Sequence, residues 1–404
     1  MELSSPVFYI PAIFLSLVAV LIAFLYKEAK KNTRDSNECL PFFDEVERSM
    51  DYIERNILEN GRFVYRNHVE SSVVYDNNIY NSLRHAGVLY SMYLYEKYAN
   101  SDKYKDSRLK ATEYFIKKYI KQLEDQRFYV LTNPEEENLK IPIAKSGASG
   151  VALCALCNLY GESDLISKDL LIGLGEFLLS MVDEDGCVYA YYDLTKDEPN
   201  KEAQAVFYPG EVASGLLYLY EVDNQQKWLD TAKKILLKMA KNKKHLELDV
   251  EFDNWSLLAI EKLFESNLIN DVEKGNLISY AEQMTISILS NQITNKNHSY
   301  FGAFKDNIRP CSLGTIMEGL SSVYLFSNSK NLKLIIKKSL SICCYFLARV
   351  QVKTGNQAGG LPNSANWVKP GVTPNAGQIR IDNVQHVVSG WLKFQYILKT
   401  TGEY

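Results

Sequence analysis

Residues 146–160 read SGASGVALCALCNLY, residues 209–221 read PGEVASGLLYLYE and residues 382–398 read DNVQHVVSGWLKFQYIL. Each stretch opens on small or polar residues, usually with glycine, and then runs apolar around the whole helical wheel into aromatics. A helix without a polar face must be buried on all sides. The same pattern returns in NSLRHAGVLYSMYLY from Asn81, DNWSLLAIEKLFE from Asp253 and LGTIMEGLSSVYLF from Leu313. Between them amphipathic helical periodicity recurs at 43–58, 104–123, 164–182, 226–241, 271–290 and 331–351. Six buried helices alternating with six half-buried ones predict two concentric layers. Spacing of the repeats is too irregular for a solenoid, and a closed ring of six helical hairpins fits the count. Gly87, Gly150, Gly215, Gly319 and Gly390 let neighbouring inner helices approach closely. No stretch after Glu38 alternates for long enough to build a sheet.

Connections leaving the apolar helices are short, whereas most of those entering them are long: 59–79, 125–145, 183–208, 291–311 and 352–382. The long loops therefore gather at one end of the ring, where the inner helices start and their dipoles are positive. Long loops on a rigid scaffold are where function usually sits.

Ahead of this domain, residues 7–26 read VFYIPAIFLSLVAVLIAFLY, twenty residues without a charge. At 1.5 Å per residue such a helix would match the hydrocarbon thickness of a bilayer. No basic stretch precedes it, so a retained anchor is expected rather than a cleaved leader. Lys27, Lys30, Lys31 and Arg34 follow it, and the positive-inside rule places what comes after in the cytoplasm. The expected organisation is an all-α (α/α)6 toroid preceded by one transmembrane helix. Residues 1–6 form a short flank, 7–26 the span, 27–37 a polar tether and 38–404 the toroid.

The net charge of −4 and the lack of a basic stripe argue against nucleic acid as a partner. Seven cysteines without regular spacing do not make a disulfide framework, and the C-x-x-C of Cys154 and Cys157 falls inside an apolar helix as core. Neither a dinucleotide fingerprint nor a phosphate loop occurs, so no cofactor is called for.

The alternating hairpins, the glycine-rich starts of the inner helices and the Tyr208-Pro209-Gly210-Glu211 turn resemble the six-hairpin (α/α)6 glycosidase-like superfamily over roughly residues 40–400. That resemblance implies a carbohydrate-active protein, with a carbohydrate or lipid-linked sugar as substrate. Its members include glycosidases, polysaccharide lyases, sugar epimerases and terpenoid cyclases, and fold does not choose among them.

Candidate residues come from the chemistry of the rim. Asp76, Asp253 and Asp382 each stand in an Asp-Asn pair at an inner-helix start, and Glu211 opens a fourth helix. Helix capping explains any one of them. Together they offer the two carboxyl groups that glycoside hydrolysis needs, one protonated and one ionised. Asp253, between Phe252 and Trp255, is the expected acid; Glu211 and Asp382, at helix starts, suit the base role. Arg84, His85 and His386 lie on the same face, as do Arg309 and Arg380, which suit an acidic sugar or a phosphate. Tyr192, Tyr208, Trp255 and Trp367 are candidate stacking platforms for a sugar ring. The activity expected on this reading is that of a membrane-anchored glycoside hydrolase. A non-catalytic glycan- or protein-binding part of a polysaccharide-assembly system is the alternative, as is another toroid enzyme (epimerase, lyase or cyclase).

Overall fold

The computed structural model describes residues 43–70, 72–76, 78–243, 250–305, 307–367 and 373–402. Twelve long helices alternate between two layers. The outer layer is α1 (Phe43–Arg55), α3 (Lys105–Tyr119), α5 (Lys168–Ser180), α7 (Gln226–Lys243), α9 (Asp271–Ser290) and α11 (Lys330–Val350). The inner layer is α2 (Ser82–Tyr95), α4 (Ser146–Leu156), α6 (Tyr208–Asp223), α8 (Asn254–Glu265), α10 (Pro310–Phe326) and α12 (Ile381–Thr400). Burial follows hydrophobic pattern. Every residue of α4 is buried and sixteen of the twenty in α12, against seven of eighteen in the amphipathic α7.

Each inner helix packs on the next, and α12 returns to α2, so the ring is closed. The outer layer is tied at the same seam. Gln351, just after α11, donates through Nε2 to the Glu45 carbonyl at 2.7 Å and to Ser49 Oγ at 2.8 Å on α1.

Close approach within the ring is steric as well as apolar. A Cβ on Gly215 would stand 2.5 Å from the Gly150 carbonyl oxygen, and one on Gly150 would stand 2.4 Å from that of Glu211. Backbone meets backbone between α4 and α6, so neither neighbour can swing aside. Gly150→Ala is therefore expected to destabilise the fold by roughly 1–3 kcal/mol through overpacking. An unchanged urea midpoint would show that these helices have room to part.

The long connections do lie at the inner-helix N-terminal end, but they carry strands, which the lack of alternation did not predict. β2 (Ile120–Gln122), β3 (Phe128–Thr132), β4 (Ile143–Lys145), β5 (Tyr191–Asp193) and β6 (Glu198–Pro199) form an antiparallel sheet in chain order. β1 (Arg66–His68) pairs with β7 (Gln378–Arg380), again across the seam. Strands this short hold no pattern to read.

One expectation is corrected. The transmembrane helix expected over residues 7–26 lies outside the described residues, and among those described no helix is long and apolar enough to cross a membrane. The apolar inner helices are buried by one another; α4 has only eleven residues, and α12 carries Asp382, Lys393 and Lys399. Over the described residues the fold class is an all-α toroid, none of whose helices can span a bilayer. The membrane partner, the single-pass arrangement and the cytoplasmic placement all rested on that span, and no described helix supports them.

Candidate functional site

A band of buried ionisable groups runs around the rim where the inner helices begin. Glu211 lies in the first turn of α6, whose start is set by Pro209. Its side chain fits because α4 presents Gly147 opposite: a Cβ there would stand 1.9 Å from Glu211 Oε2 and 2.6 Å from the Tyr208 ring. Glu211 is 4% exposed and its Oε2 has no hydrogen-bond partner. Burial, reinforced by nearby Asp253 and only partly offset by Lys145, pushes its carboxyl up to about 8. The helix dipole was expected to keep this group ionised; desolvation outweighs it.

Asp253 is fully buried and caps α8. Its Oδ1 accepts from the backbone N–H of Trp255 at 3.0 Å and of Ser256 at 3.3 Å, while Oδ2 has no partner. Burial pushes it up to about 7, against the pull of Lys243 and of the Ser256 and Trp255 donors. Two neighbouring carboxyls on adjacent helices thus both hold protons far above the usual carboxylate range.

The next two helices carry a histidine–glutamate pair. His386 Nδ1 lies 3.2 Å from both carboxylate oxygens of Glu318 on α10. Asn254, beside the Asp253 cap, donates to Glu318 Oε2 at 2.7 Å. Burial alone would lower the imidazole, but the Glu318 carboxylate, with Asp382, outweighs it and the pKa is raised. Glu318 was missed in the sequence; its signal was a lone glutamate in the otherwise uncharged helix Pro310–Phe326.

Asp382 behaves differently. It stands one residue inside α12, whose N-cap position is Arg380. Arg380 grips it with Nε at 2.9 Å and Nη2 at 2.8 Å, and Arg84 Nε lies 3.0 Å away. Burial would raise its pKa, yet the two guanidiniums, with His386, hold it below the usual value. Cys311 Sγ is 3.8 Å from Asp382 Oδ2. Arg84 also donates through Nη1 to the Tyr65 hydroxyl.

Tyr208 packs edge-on to Tyr191, with ring centroids 6.1 Å apart, beside Glu211. Trp255 is buried against Tyr90 at 5.7 Å in the centre of the ring. The remaining candidates stand elsewhere. His85 is wholly buried against α3, between the Tyr80 hydroxyl at 2.6 Å and the Ala111 carbonyl at 3.0 Å. Burial lowers it to about 3, so it is a neutral core residue. Tyr192 is buried against Phe177 of α5 and donates to Asp197 at 2.8 Å. Asp76 is exposed, and its carboxylate accepts from the Asn78 backbone; Asn81 takes the α2 N-cap instead. Trp367 is half-buried, its Nε1 3.4 Å from the Val350 carbonyl. Arg309, at the α10 N-cap, is exposed and makes no side-chain cap. Among the described residues no cluster of three or more His, Cys, Asp or Glu is placed to hold a metal ion.

No protein-family model matches the sequence, and no curated protein matches it. Solved structures match its fold over nearly the whole of their own chains. The α-1,6-mannanase of Salegentibacter superposes with a TM-score of 0.60 at 12% identity, over 87% of this chain and 98% of that one. Cellobiose 2-epimerase from Bacillus thermoamylovorans gives 0.63 at 11% identity, over 86% and 97%. A D-mannose isomerase gives 0.61 at 11% identity, over 90% and 99%. The chain has the six-hairpin (α/α) glycosidase-like architecture.

Proposed function

We propose that this chain is a carbohydrate-active enzyme working by proton transfer at the inner-helix rim, with Glu211 and Asp253 as its acid pair. One observation carries the reading: two neighbouring buried carboxyls, each with an oxygen that has no hydrogen-bond partner and each pushed up towards neutrality. A structural carboxylate would be satisfied by its surroundings. An unpartnered neutral carboxyl is instead a donor held in reserve, as the acid in glycoside hydrolysis must be. On this reading Glu211 gives its proton to the departing glycosidic oxygen as the bond to the anomeric carbon breaks, a water bonds to that carbon and sheds a proton that returns the site to its starting state, and Asp253 keeps the pair from ionising twice.

The structural neighbours support a sugar as substrate, being named for mannan, mannose and cellobiose. They do not supply the catalytic pair. The mannanase is described as inactive when two consecutive aspartates are replaced, and this chain has no two consecutive aspartates anywhere. Its carboxyl pair must come from separate helices.

His386 favours a second reading. An imidazole fixed through Nδ1 by a buried glutamate can act as a base through its other nitrogen once a substrate takes the place of that nitrogen's present neighbour. Gln385 Nε2 stands 3.4 Å from that nitrogen. Such a group suits removal of a proton next to a sugar carbonyl, as epimerisation or isomerisation requires.

Proton NMR on α-1,6-linked mannose oligosaccharides, cellobiose and mannose separates the readings. New reducing ends are expected for hydrolysis; a new sugar at constant chain length would select the His386 reading. If sugars bind but none turns over, the protein is a glycan-binding toroid and the enzymatic reading is wrong.

A further inference from the structure

Three arginines crowd one corner of the rim in a chain whose overall charge is −4. Arg66 and Arg380 stand directly opposite each other in the β1–β7 pair, so their side chains leave the same face of the ribbon. Like charges in that relation are destabilising. Arg84 reaches the same place from α2, 3.0 Å from the carboxylate that Arg380 grips. Asp382 explains one of these arginines, since a single bidentate guanidinium satisfies a carboxylate. It does not explain three.

Donor capacity is left over. A guanidinium has five N–H donors. Arg84 uses one towards Asp382 and one on Tyr65, and Arg380 uses two on Asp382. Arg66 spends one on the Asp76 carbonyl, at a long 3.4 Å, with its guanidinium 5.3 Å from the Tyr75 ring centroid. The side chains of Arg84 and Arg380 are 31% and 30% exposed, whereas Asp382 is 5% exposed. The corner therefore shows solvent its guanidiniums and hides its carboxylate. Asp76, the nearby exposed acid, turns its carboxylate to the Asn78 backbone.

We propose that Arg66, Arg84 and Arg380 form an oxyanion subsite, and that the sugar taken at this rim carries a carboxylate or a phosphate. The sugar half of this inference rests on the carbohydrate reading above; the anion half stands on the arginines alone. Docked there, the anionic group of the substrate neutralises the Arg66–Arg380 repulsion. The sugar body extends along the rim past His386 towards Glu211.

Isothermal titration calorimetry with glucuronic acid, glucose 6-phosphate, glucose and inorganic phosphate tests it. Glucuronic acid or glucose 6-phosphate is expected to bind at least about tenfold more tightly than glucose, the worth of one charge-assisted contact. Whichever of the two wins identifies the anion. Arg66→Gln leaves the Asp382 pair intact and is expected to remove most of that preference; Arg84→Gln is expected to remove more. Glucose binding as tightly as the charged sugars overturns the proposal, as does a preference that survives both substitutions. If no sugar binds but phosphate binds the wild-type chain and not Arg84→Gln, the subsite stands and the carbohydrate reading falls. If phosphate fails as well, the subsite falls too.

Discussion

Glu211→Gln is expected to lose sugar turnover by about 10²–10⁴-fold, the usual contribution of a positioned proton donor, and at the same time to stabilise the fold at pH 8. The two effects have one cause. Folding lifts the Glu211 carboxyl from an ordinary 4.5 to about 8, burial being the main reason. Between those values the native chain holds a proton that the unfolded chain has released. Stability conferred by this residue is therefore greatest below pH 4.5, falls as pH rises towards 8 and is flat above it. Glutamine cannot ionise, so the variant lacks that fall and gains on the order of 4 kcal/mol at pH 8. The amide leaves a buried donor unpaired, but so does the protonated acid, and that cost nearly cancels. Asp253 contributes a similar slope between about 3.8 and 7, which stays in the variant.

Urea titrations from pH 5 to 9, paired with the NMR turnover assay, check this. Lost turnover with increased stability at pH 8 identifies a group kept for chemistry at the expense of the fold. Lost turnover with reduced stability would make Glu211 a packing residue, and turnover that survives would remove it from the mechanism.

The ring was legible because its signal is the least ambiguous a helix can carry. SGASGVALCALCNLY has no polar face, so something must surround it, and six such helices surround one another. The same property hides which way each side chain points. An amphipathic helix declares its phase; a helix apolar all round does not. His85 was placed on the functional face by its position in the chain, yet it turns outward to α3; Tyr192, on the short strand β5 rather than on a helix, turns to Phe177 of α5. Glu211, Asp253 and Asp382 were named because rim position and residue type coincide there. Their protonation was only half legible. The dipole argument treats Glu211 and Asp382 alike, but Asp382 is gripped by Arg380, two residues before it, and by Arg84 from α2, while Glu211 faces a glycine. Glu318 and its histidine are sixty-eight residues apart, and the packing of α10 against α12 brings them together. The clue to such groups is a charge within an apolar inner helix, and two more such charges find each other in the same way.

Those two are Glu261 and Lys393, and Lys393→Met is expected to destabilise the fold by roughly 3–5 kcal/mol. Lys393, in α12, is 2% exposed and reaches Glu261 of α8 at 2.5 Å. It also donates to Ser322 Oγ of α10 at 2.7 Å, so one ammonium ties three inner helices together beyond the aromatic centre of the ring. Removing it strands a buried carboxylate, and a domain stable by only about 5–15 kcal/mol feels that strongly. A cavity of about 20 Å³ borders both residues. It has room for one water, which would give the stranded glutamate a partner and places the expectation at the lower end of the range. The pair itself need not be stabilising, because two charges were taken out of water to make it. Lys393→Met combined with Glu261→Leu is accordingly expected to recover most of the loss, and a double-mutant cycle in urea measures the coupling. A neutral single variant would mean that the carboxylate reaches solvent. Since this pair lies towards the helix C-termini, away from the acid pair, the double variant should also keep its turnover. Stability lost and regained at one end without effect on chemistry, and chemistry lost with stability gained at the other, would separate the scaffold of the ring from its site.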